Sequence, residues 1–172
     1  MEAIPKEVIN MAEDFFSRLS DKEKDKMLNE YFKEQKFIGA QCLVWMKSIT
    51  EKNCFENIKT LYLVIYRSYK YYGIKLPVIS ENTFRTTYEQ YIKDITIHDK
   101  NGLKSLAIII EVTKDIHQED LINHIILKLS GNKENIVHYK SLIDMGTSIS
   151  IAINLLLLLN NEMEKQLRNE IN

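Results

Sequence analysis

The run ISIAINLLLLL at 149–159 limits what this chain can fold into more than any other stretch. Read as a helix, it places Ile149, Ala152, Ile153, Leu156 and Leu159 on one stripe and Ile151, Leu155 and Leu158 on the opposite one. A helix that is apolar on all sides must be surrounded by protein. The pattern therefore predicts a central core helix, with a helix shared between two chains of a homodimer as the alternative. It does not predict a membrane span, because crossing a bilayer takes about 20 apolar residues and Asn154 interrupts the run. Beyond Asn160 only a seam of Met163, Leu167 and Ile171 continues on a charged helix.

The rest of the chain also reads with helical period. PKEVINMAEDFFSRL opens on Pro5, suited to a first helical turn, and lines up Val8, Met11, Ala12, Phe15, Phe16 and Leu19. Ser20 and Glu23 form a capping-box pattern. The helix they open carries Met27, Leu28, Tyr31 and Phe32, bends or restarts near Gln35, and runs to about Ile49. Thr50 or Asn53 would cap the next helix, which Gly73 ends. GIKLPVI (73–79) is a break, and Ser80 caps ENTFRTTYEQYIKDI with Phe84, Tyr88, Tyr91, Ile92 and Ile95 as the expected inner stripe. TIHDKNG (96–102) reads as a second break. Short helices follow at about 103–115 and 118–130, Gly131 and Asn132 end the second, and the last helix starts near Lys133. SLAIII (105–110) fits a buried strand equally well, because so short an apolar run has no decisive period. With only 5 Gly and 2 Pro, the chain lacks the turns an all-β fold needs. The expectation is one all-α domain over 1–172, a compact helical bundle of six or seven helices around a long central C-terminal helix.

Two stretches resemble each other. With Gln35 laid on Gln118, KEQKFIGAQCLVWMKS (33–48) and IHQEDLINHIILKLSG (116–131) match Ile38 to Leu121, Cys42 to Ile125, Leu43 to Ile126 and Met46 to Leu129. ENIKTLYLVIY (56–66) then falls on VHYKSLIDMGT (137–147) after a two-residue gap. Two related helical hairpins, about 31–72 and 114–160, are one reading; the other is that any two amphipathic helices share this much pattern, and Phe37 meets Asp120 and Trp45 meets Lys128.

Signatures of catalysis are missing from the sequence. His117, Asp120 and His124 share one helix face, but Leu121 and Ile125 define its buried side, so the three read as a solvated face. Glu134 and His138 read as an i,i+4 pair, and His98–Asp99 stands isolated. There is no HExxH or ExxH metal pattern, no GxSxG and no Gly-rich phosphate loop. Cys42 reads as a small buried hydrophobe, and Cys54 lies near a helix start. The two form neither a CxxC pair nor a disulfide framework, which suits a reducing compartment. No cofactor and no metal are expected. A formal net charge of −1 gives no whole-molecule attraction to nucleic acid or anionic membrane, and the first ten residues have no apolar signal-peptide core.

One segment points elsewhere. Residues 59–94 carry Lys59, Arg67, Lys70, Lys75, Arg85 and Lys93 against Glu81, Glu89 and Asp94, with Tyr62, Tyr66, Tyr69, Tyr71, Tyr72, Tyr88 and Tyr91. Two helices around a break match a helix-turn-helix in outline. Asn82, Arg85, Thr86 and Glu89 would then face a DNA groove, with Arg67 and Lys70 as further contacts. The connector is longer than the usual three or four residues, and the spacing of Tyr62, Tyr66 and Tyr69 suits a core. The sequence thus favours a cytoplasmic, non-catalytic protein–protein interaction module: an adaptor, a regulatory subunit or an immunity-type inhibitor. The alternative is a helix-turn-helix DNA-binding regulator. In either case Arg67, Lys70, Asn82, Arg85, Thr86 and Glu89 are the candidate contacts.

Overall fold

Ser20 shows how local sequence sets the first boundaries. Its hydroxyl accepts from the Glu23 N–H while the Glu23 carboxylate accepts from the Ser20 N–H, the reciprocal pairing of a capping box. In the computed structural model, which describes residues 3–46, 52–100, 105–130 and 142–171, this pair opens α2 (Asp21–Glu34). Before it, α1 spans Lys6–Ser17, with Pro5 as its N-cap rather than inside its first turn. Gln35 breaks the chain between α2 and α3 (Lys36–Met46). Then follow α4 (Lys52–Tyr71), α5 (Glu81–Lys100), α6 (Ser105–Thr113), α7 (Glu119–Ser130) and α8 (Leu142–Ile171). The described residues contain eight helices and no strand. The count exceeds six or seven because Gln35 ends one helix before the next begins. SLAIII is helical, with Ile108 and Ile109 both buried and Ile110 exposed, which is not the alternation of a strand.

The core is built around α8. Ile149, Ile151, Ala152, Ile153, Leu155, Leu156, Leu158 and Leu159 are all buried, so both stripes are covered within one chain. Neighbours come from α3, α4, α5, α6 and α7. Asn154, also fully buried, accepts a 2.9 Å hydrogen bond from Nε2 of the buried Gln41 on α3. That bond pairs the Asn154 oxygen, while its Nδ2 is buried with no hydrogen-bond partner among the described residues. On α1 the buried residues are Ile9, Ala12 and Phe16, whereas Met11 is 59% exposed and falls outside the expected stripe.

Two further expectations need correction. TIHDK does not break the chain, since α5 continues through Lys100; Asn101 and Gly102 lie outside the described residues. The inner face of α5 is Thr83, Thr87 and Tyr91, while Phe84 and Tyr88 are half-buried and Ile92 is exposed. The cause is a polar seam against α8. Glu162 accepts from the N–H and hydroxyl of Ser80, and Asn161 donates to Thr87 at 2.9 Å. Hydrogen bonds, rather than apolar bulk, decide which face turns inward. Thr50, the end of α3 beyond Met46, Gly131, Asn132 and the start of the last helix near Lys133 lie outside the described residues, as do the side chains of Ile95 and Cys54.

The matched glutamines do the same job. Gln35 immediately precedes α3 and is buried; its Oε1 accepts from the N–H of Ile79, two residues before α5. Gln118 immediately precedes α7 and is buried; its Oε1 accepts from the N–H of Ile4, two residues before α1. Ile38 and Leu121 are buried, as are Cys42 and Ile125. Helix contacts follow suit. α1 and α2 pack on α4 as α5 and α6 pack on α8, α7 touches α4 as α3 touches α8, and α4 and α8 touch each other. The α2–α3, α7–α8, α5–α6 and α1–α7 contacts lack counterparts of similar extent. Gln35 thus holds the lead-in of α5, and Gln118 that of α1. The match of 56–66 to 137–147 falls on side chains outside the described residues.

Candidate functional site

The six candidate contact residues divide between two helices, Arg67 and Lys70 on α4 and the other four on α5. Arg67 lies between rings, with its guanidinium carbon 4.4 Å from the centroid of Phe15 and 4.6 Å from that of Tyr71, so it fastens α1 to α4. Asn82 and Thr86 border a cleft of about 520 Å³ between α5 and α8, where Lys165 reaches Ser80 and Glu164 holds Arg168. Arg85 and Glu89, three and seven residues on from Asn82, are exposed on the same face of α5. Only Lys70 borders an apolar pocket. Of the basic residues in 59–94, Lys59 is nearly buried and paired with Asp25 and Glu56. α5 packs on α8 and α6 rather than closely on α4, so the two helices do not form the packed pair of a helix-turn-helix. Tyr62 and Tyr69 are fully buried and Tyr66 half-buried, a core series and not a stacking platform.

The chemical candidates are placed just as plainly. Burial pushes the Cys42 thiol up to about 12 despite a hydrogen bond with Tyr62, so it stays protonated at neutral pH. A buried thiol of this kind is no nucleophile. His117 and Asp120 are exposed, while His124 is half-buried and its pKa is lowered by that burial, with Glu13 opposing and Lys128 reinforcing the shift. No group of three or more His, Cys, Asp or Glu gathers as a metal site among the described residues. His98, Asp99, Glu134 and His138 have side chains outside those residues.

The pocket beside Lys70 is assembled from three parts of the chain. Gly73, at φ 80°, ends α4, and the Ile74 N–H returns to the Tyr69 carbonyl at 2.9 Å. The chain then runs without helix to Ser80, with Pro77 and Ile79 buried and Val78 61% exposed. Gln35 holds this segment at two points: its Nε2 donates to the Pro77 carbonyl at 2.7 Å and its Oε1 accepts from Ile79 at 3.0 Å. Between segment and helices lies a pocket of about 330 Å³. Tyr66, Ile74, Leu76 and Val78 form its apolar walls, Gln35 its base, and Lys70, Lys75 and Glu34 its rim. The Tyr66 hydroxyl donates to Glu34 at 3.1 Å. Burial, then the Glu34 carboxylate, raise the Tyr66 pKa.

A second groove, of about 730 Å³, runs over Leu28, Phe32 and Leu43; of its two lysines, Lys59 is paired with Asp25 and Glu56, while Lys33 is exposed. Sequence reading missed the Lys70 pocket and took GIKLPVI only as a break. The available signal was the alternation of Ile74, Leu76 and Val78, the period of an extended segment with one apolar side. Comparison with known proteins adds no template: the sequence matches no family model, no curated protein and no solved structure.

Proposed function

We propose that this chain is a non-catalytic, cytoplasmic protein–protein interaction module that docks its partner at the α4–α5 pocket. The observation that carries the reading is an apolar pocket whose extended wall is fixed in place by Gln35 at both Pro77 and Ile79. A wall already ordered costs little conformational entropy on binding. Among the described residues no helix is long and apolar enough to cross a membrane. The reading needs no cofactor, and it needs no second copy of the chain, because α8 is covered on both stripes by its own chain.

The test is site-specific photocross-linking in cells that make the protein. A benzophenone side chain at Val78 should capture one stoichiometric protein that the same group at Met11, equally exposed on α1, does not. Capture of the same mixture from both positions, or of nothing from Val78, contradicts the proposal. The DNA-binding reading keeps one observation in its favour: Asn82, Arg85, Thr86 and Glu89 are all exposed on α5. A gel shift decides it. A sequence-selective complex far tighter than the non-specific range of about 10⁻⁴–10⁻⁶ M, abolished by Arg85→Ala with Lys70→Ala, would replace the docking reading.

A further inference from the structure

We infer that the segment docked at the α4–α5 pocket is an apolar anchor flanked by carboxylates, an inference that rests on the docking function proposed above. The charge of the rim carries it. Lys70, in the last turn of α4, and Lys75, on the connector, are both exposed, and among the described residues neither forms an ion pair. The one carboxylate on the rim, Glu34, already accepts from Tyr66. A partner approaching the apolar walls therefore meets two lysines without ion-pair partners and one carboxylate, a rim that is positive on balance.

Complementary charges at a rim speed encounter and set orientation, whereas like charges are penalised. Basic flanks would place cations beside Lys70 and Lys75 and gain only Glu34. Acidic flanks would meet both lysines, provided they lie on the side away from Glu34. The anchor of the segment would sit among Tyr66, Ile74, Leu76 and Val78. Phosphate would also be drawn to two lysines, but it has no use for walls made of Ile74, Leu76 and Val78. An anchor such as Leu or Phe fills them, and burial of its apolar surface supplies the driving force.

The experiment titrates ¹⁵N-labelled protein with three synthetic peptides: a Phe–Leu pair flanked by glutamates, the same pair flanked by lysines, and an Ala–Ala version of the first. The glutamate-flanked peptide should be the one that shifts the amide signals of residues 66–78. Its affinity should weaken about tenfold or more in the variant with both Lys70→Glu and Lys75→Glu, and should fall with added salt. Both substitutions are at exposed positions, and the dispersion of the variant's own spectrum shows whether its fold is kept. Equal binding of the lysine-flanked peptide, an unaffected variant, shifts confined to another surface, or no binding by any peptide overturns the inference. So does a short single-stranded DNA that shifts the same signals more strongly. If Val78 cross-links a protein in cells while the glutamate-flanked peptide fails, docking stands and the acidic partner falls. If Val78 cross-links a second copy of this chain, the partner is the chain itself and both readings fail.

Discussion

Gly39 has no side chain where Phe32 needs the room. A Cβ at this position would lie 2.8 Å from the Phe32 Cβ and 3.4 Å from its Cα, too close to be relieved by a side-chain rotation. Gly39→Ala should force α2 and α3 apart and cost about 1–3 kcal/mol, the usual range for overpacking. Urea unfolding checks it, and an unchanged midpoint would mean that the two helices are not so closely set. The Tyr69 hydroxyl is fully buried with no hydrogen-bond partner among the described residues. An unpaired buried hydroxyl costs roughly 1–3 kcal/mol, so Tyr69→Phe should be neutral or stabilising in the same assay. A clear loss of stability would reveal a partner for that hydroxyl. Glu162 is the residue whose contribution should depend on pH. Burial raises its pKa, but hydrogen bonds from Thr83 and Ser80, with Lys165 beside it, bring the net value below the ordinary 4.5. A depressed folded pKa stabilises fully above the unfolded value and loses that stabilisation as pH falls through the folded one. Wild type should therefore exceed Glu162→Gln in stability at pH 7, and the gap should close as pH drops below about 4.5. A gap that stays constant with pH would contradict the role of the ionised carboxylate.

At the scale of helices, the two glutamines explain what could be read in advance and what could not. The resemblance around Gln35 and Gln118 was legible because both lie just before a helix with buried residues three and seven positions on. Their partners, Ile79 and Ile4, lie far away in the chain, so the use of the glutamines as clamps was not legible. Gln35→Ala should strand the Pro77 carbonyl and the Ile79 N–H, each at roughly 1–3 kcal/mol, and loosen the pocket wall. Hydrogen exchange should then accelerate at Ile79, and an unchanged rate would show that the wall is held by other means. The inner face of α5 was misread for a different reason. Phe84, Tyr88 and Ile92 are the more hydrophobic set, but the facing part of α8 is polar and selects Thr83 and Thr87 through Ser80, Asn161 and Glu162. Periodicity locates a helix well, yet it misjudges rotation wherever the neighbouring surface is not apolar.

The whole molecule follows from α8. Its all-round apolar run made the all-helical class and the enclosure of this helix legible, since a helix apolar on both stripes must be covered by protein on all sides. The pocket was not legible, because the α2–α3 junction, the end of α4 and the connector meet only in the folded chain. The candidate residues, which sit near one another in sequence, divide between α4, with Arg67 and Lys70, and one exposed face of α5, with Asn82, Arg85, Thr86 and Glu89. Whether α8 belongs to one chain also bears on function: if it were shared, a dimer seam and not the α4–α5 pocket would be the principal interface. Leu158 is fully buried within the single chain. An uncompensated charge there costs several kcal/mol, comparable with the roughly 5–15 kcal/mol that hold a domain together. Light scattering with circular dichroism on wild type and Leu158→Glu tests this most directly. The expected result is a wild-type monomer and a variant that has lost its helical signal; a wild-type dimer that Leu158→Glu converts into a well-folded monomer would contradict it.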